Sequence, residues 1–385
     1  MKTRTMDLDQ AVKDGELLQS SADNIRSLLD ASKNPVDHTT VEQLVGQGAW
    51  QELNDRFFRK LAFGTGGLRG RTIGNVVTAA EQGAAGVEER PEHPCVGTNA
   101  MNFYNLSRAT QGLVAYVKQQ FTDLGKRPII IFAHDTRHFA TEFTDFCARV
   151  CTENGCDVFR FESARSTPEL SFAVRHLGAQ AGVMLTASHN PPHDNGYKVY
   201  FDDGCQITEP HASGIIEKVN AITSDSYEPL PEDQQGTVTA LGTEMDELFI
   251  ERLKTVMLQP ELLEKAKGLK IVYTNLHGTG GVIITQLLER LGFDYLTVPE
   301  QDTHDGRFPT VESPNPENAS ALKMALELGE KEKADIVIGT DPDCDRMGVA
   351  VKDKEGRLTL LTGNQIGSLL AYYRTRTLFD MGILN

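Results

Sequence analysis

At 385 residues the chain exceeds what one hydrophobic core ordinarily serves, so two or three compact units are expected. Apolar residues at 39% and charged residues at 24% exclude a disordered or fibrous chain. A net charge of -16 excludes a broad basic surface for nucleic acid, although a small phosphate ester needs only a local cluster of cations.

No stretch reaches the roughly 18 apolar residues of a membrane-crossing helix, and residues 1–20 mix charges with apolar positions rather than building a signal core. A cytoplasmic protein with neither membrane nor nucleic-acid partners is expected. Cys95, Cys147, Cys151, Cys156, Cys205 and Cys344 form no Cys-x-x-Cys pair, which suits reduced thiols. The oligomeric state is left open.

Along the chain, Leu8, Val12, Leu17, Leu18, Ile25, Leu28 and Leu29 recur among charges at helical spacing, which predicts an N-terminal helical arm over 1–45. A tight glycine loop follows at 64–70. Helical spacing over 107–123, an apolar strand at 128–133, a helix over 139–154, a strand at 157–161, a helix from about Pro168 and a strand over 181–186 alternate as βαβ units do. Residues 221–240, poor in large apolar side chains, read as a linker. The alternation then resumes: a helix over 244–266, a strand at 270–274, a glycine loop at 275–281 with a helix to about 292, and a strand at 295–298. A helix at 317–329, strands at 335–339, 347–351 and 358–361, and a helix at 365–378 complete it. The expected fold class is α/β, with consecutive domains built on mostly parallel mixed sheets.

Two constellations carry chemistry. Thr186-Ala187-Ser188-His189-Asn190-Pro191-Pro192, followed by Asn195-Gly196-Tyr197-Lys198, begins where an apolar strand ends, the place where ligands gather in α/β sheets. There Ser188 can act as a nucleophile, with His189 and Lys198 as sources of protons or positive charge; the alternative is a polar turn with a hydrogen-bonded serine. The second, Asp341-Pro342-Asp343-Cys344-Asp345-Arg346, places three carboxylates at alternate positions after another apolar strand. They can converge on one hard cation, since otherwise they repel one another; the alternative is a solvated acidic loop. The soft Cys344 thiol is unsuited to magnesium and is expected to point away. Arg346 and Lys352 stand where a calcium loop of the EF-hand kind needs Gly and Glu, and no glycine loop matches a nucleotide-binding template.

These two segments, with Phe63-Gly64-Thr65-Gly66-Gly67-Leu68-Arg69-Gly70, resemble three signatures of the α-D-phosphohexomutases, in that family's order. The spacing, the N-terminal arm and His277-Gly278-Thr279-Gly280 look most like its phosphoglucomutase and phosphopentomutase branch. The resemblance implies that Ser188 is a phosphoserine and that Asp341, Asp343 and Asp345 bind Mg²⁺ together with a Ser188 oxygen. Lys198 is then a general base or acid, His189 a neighbouring polar contact and Arg69 a phosphate-side arginine. Arg346, Thr65 and Asn190 contact substrate or phosphate. It implies a mutase that moves a phosphoryl group between the 1- and 6-positions of glucose phosphate, or the 1- and 5-positions of a pentose phosphate, through a sugar bisphosphate such as glucose 1,6-bisphosphate.

The family has four domains. The division expected here is a helical arm at 1–45, a domain with the serine loop at 46–225, a domain with the metal loop at 226–350, and the opening of a third, incomplete domain at 351–385. The family's later sugar and phosphate loops are not found, so a C-terminally truncated, impaired or non-catalytic binding fragment is the alternative reading. A hydrolase with Asp341 as nucleophile is a further one. Residues 75–99 look longer than the family's link, and are expected to form a surface excursion, with an effect on the active-site entrance as the alternative.

Overall fold

The computed structural model describes residues 2–384, with side chains from Asp7 onward; Met1 and Asn385, the ends of the outer two expected units, lie outside the described residues. Four helices open the chain: α1 (Lys2–Lys13), α2 (Gln19–Ala31), α3 (Pro35–Gly46) and α4 (Trp50–Phe57). Asn34 starts α3 by accepting a hydrogen bond from the Val36 amide at 3.1 Å, with Pro35 at the first helical position where no amide is needed. Leu8, Ile25, Leu28, Val41, Leu44, Leu53 and Phe57 form the core of this helical unit, so it runs past the expected limit at 45 to include α4.

The first sheet comprises β1 (Gly67–Arg71), β2 (Ile129–His134), β3 (Asp157–Phe161), β4 (Ala181–Leu185), β5 (Asp194–Phe201) and β6 (Val238–Leu241). Its order is β1-β5-β4-β2-β3-β6, parallel from β4 to β6 and antiparallel at the β5 and β1 edge. Between its strands run α5 (Ala79–Gln82), α6 (Phe103–Gln120), α7 (Ala140–Glu153), α8 (Thr167–Leu177) and α9 (His211–Ala221). Apolar side chains cover both faces of the sheet, as a parallel sheet requires.

The second sheet holds β7 (Lys270–Thr274), β8 (Asp294–Thr297), β9 (Ile336–Thr340), β10 (Met347–Lys352) and β11 (Leu358–Leu360), in the order β11-β10-β9-β7-β8. It too pairs a parallel core with an antiparallel edge. Its helices are α10 (Thr243–Thr255), α11 (Leu263–Ala266), α12 (Gly280–Arg290), α13 (Lys323–Glu332) and α14 (Gly363–Asp380). The helix expected over 244–266 is split, because Pro260 has no amide to continue it and starts a short 3₁₀ turn instead. Phe172 on α8 packs against Phe249 on α10 with ring centroids 5.5 Å apart, which joins the two sheets' helices. No described helix is long and apolar enough to cross a membrane.

Three expectations need correction. The last three residues of the supposed linker belong to β6, hydrogen-bonded to β3; at the sheet edge its side chains are mostly exposed, so it needed no apolar run. The boundary expected at 226 therefore precedes part of the first sheet, and that at 351 falls within β10 and before β11. The glycine loop at 64–70 also becomes strand β1 from Gly67, paired with β5 through residues 194–198.

The segment 75–99 is not a plain surface excursion. Only its tip, near 83–89, is broadly exposed, whereas Thr78, Glu81, Cys95 and Val96 are buried against the helical unit. Thr78 and Glu81 form a reciprocal capping box around α5. The Arg56 guanidinium, 2% exposed, meets Glu52 at 2.7 Å and Glu81 at 2.5 Å and donates to the Val76 carbonyl at 2.5 Å. Arg56→Ala leaves two carboxylates buried without their partner and should cost about 3–5 kcal/mol. Trp50, the single tryptophan, lies in α4 of the same unit. Urea unfolding followed by its fluorescence should shift to a clearly lower midpoint in that variant, while Arg376→Ala, at an exposed pair on α14, should leave it in place.

Candidate active site

The serine loop follows the carboxyl end of β4 and the acidic loop follows that of β9, so each sheet delivers one half of the site. The two halves meet: Ser188 Oγ donates to Asp341 Oδ2 at 2.7 Å, across 153 positions of sequence. Ser188 is 1% exposed and adopts the left-handed backbone region at φ 55°. Thr186 sets that turn by accepting the Ser188 amide at 2.8 Å while its own hydroxyl donates to Asp135 at 2.5 Å. His189 Nδ1 lies 3.3 Å from Ser188 Oγ.

Asp341, Asp343 and Asp345 each offer a carboxylate oxygen, and these oxygens lie within 4.8 Å of one another. Asp343 is wholly buried; one oxygen accepts from Lys198 Nζ at 2.7 Å and Thr167 Oγ1 at 2.8 Å, and the other, Oδ1, has no hydrogen-bond partner. A buried carboxylate oxygen without a partner, inside a hard all-oxygen cluster, fits an oxygen-loving divalent cation. Cys344 turns away from the cluster, its sulfur lying toward Gly280, and burial pushes its thiol up to about 12. Both Asp341 oxygens are engaged, Oδ2 by Ser188 and Oδ1 by the Asp345 and Arg346 amides at 3.1 and 3.0 Å, which disfavours Asp341 as a nucleophile.

Charge follows from this packing. Burial, then the repulsion of Asp343 and Asp345, raises the Asp341 carboxyl well above the usual carboxylate range. Burial would also raise Asp343, but Lys198, together with hydrogen bonds from Asp341 and Thr167, outweighs it and holds Asp343 low. Burial would lower the Lys198 ammonium, yet Asp343 and Asp345, at 2.7 and 3.2 Å, keep it raised and charged. His189 is lowered by burial and by the positive fields of Arg346 and Arg69, and so stays neutral near pH 7.

The remaining expected residues gather less tightly. Arg69, exposed on β1, reaches Asn190 Oδ1 at 3.4 Å, and Asn190 holds Asp194 at 3.0 Å. Arg346 is exposed beside the acidic loop, and Thr65 is exposed in the turn that Gly64 and Gly67 close. The 277–281 loop acts from behind: the Thr279 amide and hydroxyl donate to the Pro342 carbonyl at 2.8 and 2.9 Å, and a Cβ at Gly278 would come within 2.4 Å of Pro342 Cα. It is a glycine turn opening α12 that also braces the acidic loop.

Sequence reasoning missed Thr167, Ser313 and Arg137. Thr167 grips Asp343 by side chain and, at 2.9 Å, by its amide to the Asp343 carbonyl, while Ser313 donates to the His189 carbonyl at 2.6 Å. The Ser166-Thr167-Pro168 helix start was a visible cap signal, but nothing in it pointed at a residue 176 positions away. Because Lys198 and a divalent cation compete for the same carboxylates, Lys198→Met should bind Mn²⁺ more tightly than the unaltered chain. Asp343→Asn should bind it at least ~10-fold more weakly, as read by titration calorimetry.

Comparison with known proteins bears on the family and fold. The family model for "Phosphoglucomutase/phosphomannomutase, alpha/beta/alpha domain I" matches residues 81–226, and that for domain II matches 247–356. A phosphoribomutase of Saccharomyces cerevisiae is 36% identical over 359 residues, 89% of this chain and 54% of that protein. A phosphoglucomutase of Staphylococcus epidermidis is 32% identical over 346 residues, 89% of this chain and 58% of that one. The chain thus spans little more than half the length of these relatives. A solved structure from Thermus thermophilus, assigned as a phosphomannomutase, superposes with a TM-score of 0.63 at 25% identity, over 83% of this chain and 62% of that one. With both family domains matched in order along its sequence, the chain belongs to the phosphoglucomutase/phosphomannomutase family.

Proposed function

We propose that the chain supplies the phosphoryl-carrying centre of a phosphosugar mutase, with Ser188 as carrier and Asp341, Asp343 and Asp345 as ligands for Mg²⁺. The observation that carries this reading is the 2.7 Å contact between Ser188 Oγ and Asp341, which brings a nucleophile to a hard-cation cluster from a different sheet. A bound divalent cation would offset the charge that develops on a transferring phosphoryl group.

The other steps fall to side chains. As a sugar hydroxyl oxygen bonds to phosphorus, the bond from phosphorus to Ser188 Oγ breaks; the hydroxyl loses a proton and Oγ gains one. Neutral His189, 3.3 Å from Oγ, is placed to hold that proton. Lys198, kept charged between Asp343 and Asp345, suits the acid and electrostatic roles better than that of a base. Arg69 and Arg346 flank the serine loop as fixed cations for phosphate. The burial of Ser188 suits a carrier whose phosphoryl group must be shielded from hydrolysis.

The relatives named for glucose and ribose phosphates support a hexose or pentose monophosphate as substrate, with glucose 1,6-bisphosphate as phosphoryl donor. The partial span of those relatives favours a second reading, a metal- and phosphosugar-binding piece that accepts a phosphoryl group without turnover. Incubation with glucose 1,6-bisphosphate and Mg²⁺ should add one phosphoryl mass to the Ser188 peptide, and none in Ser188→Ala. Absence of label from a chain that still binds the cation would sink Ser188 as carrier. Conversion of glucose 1-phosphate to the 6-phosphate by this chain would decide against the second reading.

A further inference from the structure

Arg137 lies outside the three motif segments, yet its guanidinium sits at the centre of the loop that bears Ser188. The side chain is fully buried just beyond β2. Nε meets Asp135 Oδ2 at 3.1 Å. Nη1 donates to the carbonyls of Pro191 at 2.8 Å and Asp194 at 3.2 Å, and Nη2 to those of Asn190, at 2.6 Å, and of Ser188 itself. One planar fork thereby holds four carbonyls of a single loop, a task its geometry suits and an ammonium's does not. That loop needs an external hold, since the left-handed backbone at Ser188 costs about 1–2 kcal/mol for a residue with a side chain.

The other face of the guanidinium meets the second sheet's unit. The Phe308 ring lies 5.0 Å from Arg137 Cζ and is wholly buried. Gly306, in the same loop, approaches the backbone so closely that a Cβ there would stand 2.8 Å from the His138 nitrogen and 2.9 Å from the Thr136 oxygen. Ser313, farther along, takes the His189 carbonyl.

We infer that Arg137 is a positioning residue: it fixes the backbone of the Ser188 loop and, through Phe308, registers that loop against the unit carrying the acidic trio. The inference rests on the reading of Ser188 as phosphoryl carrier. The competing account is that Arg137 merely neutralises Asp135 within a core, a task that lysine would also perform.

Arg137→Lys and Phe308→Leu in the full chain separate the two. The readouts are amide hydrogen exchange of residues 186–196 against the reference strand 270–274, Ser188 labelling by glucose 1,6-bisphosphate with Mg²⁺, and Mn²⁺ affinity. Arg137→Lys should exchange ~10-fold faster over 186–196 with the reference strand unchanged. Its labelling should slow by about 100-fold at unaltered Mn²⁺ affinity, and Phe308→Leu should show both effects in smaller measure. Unchanged exchange and labelling in Arg137→Lys would overturn the inference. So would faster exchange spread evenly over the chain, the mark of a purely structural residue. If the unaltered chain takes no label, the functional reading falls, while the exchange pattern alone still decides for or against the positioning role.

Discussion

The hydrogen bond from Ser188 to Asp341 is the constraint to which the rest of the molecule is fitted. A nucleophile and a cation cluster carried on one loop could drift together; carried on two sheets they meet only if the sheets are held in register. That explains the density of contacts around a short interaction. Thr167 and Lys198 reach from the first unit to Asp343, and Ser313 and Phe308 reach back from the second to His189 and Arg137. Each is modest alone, but together they over-determine one relative placement.

The charge distribution follows the same logic. Three carboxylates packed within 4.8 Å are tolerable only with a counter-charge, and the chain brings Lys198 for that purpose. The lysine comes from β5, the strand that returns from the serine loop, so Ser188 and the cation that balances the acidic trio share one hairpin. The acidic total of the protein is irrelevant here, because burial first, and then the positive fields of Arg346 and Arg69, hold the His189 imidazole below its usual range.

Much of this was legible in the residues. Apolar runs such as 129–133, 181–185 and 336–338 mark buried parallel strands because both their faces must be covered, and the chemistry sits directly after them. Ser188 and the three aspartates stood out as candidates because they follow apolar strands within segments that resemble family signatures, while a polar turn and a solvated acidic loop stayed open as alternatives. The edge strands of the first sheet were not legible: Gly67–Arg71 carries two arginines and two glycines, and Val238–Leu241 shows three exposed side chains, so neither presents an apolar signature. Residues that act on another loop, such as Thr167, Ser313 and Arg137, were invisible for a different reason. Their partners lie 51 to 176 positions away, and pairing over such spans depends on the packed fold rather than on any local pattern.

Both chemical loops turn through a residue with a side chain in the left-handed region, Ser188 at φ 55° and Cys344 at φ 57°. Glycine would relax either bend, but the two positions are not equivalent. At 344 the thiol takes no part in the acidic cluster, so the strain there is open to relief by mutation, with a gain of up to about 1 kcal/mol. At 188 the hydroxyl is what bridges to Asp341, so glycine there would ease the bend only by surrendering the link between the two sheets' loops.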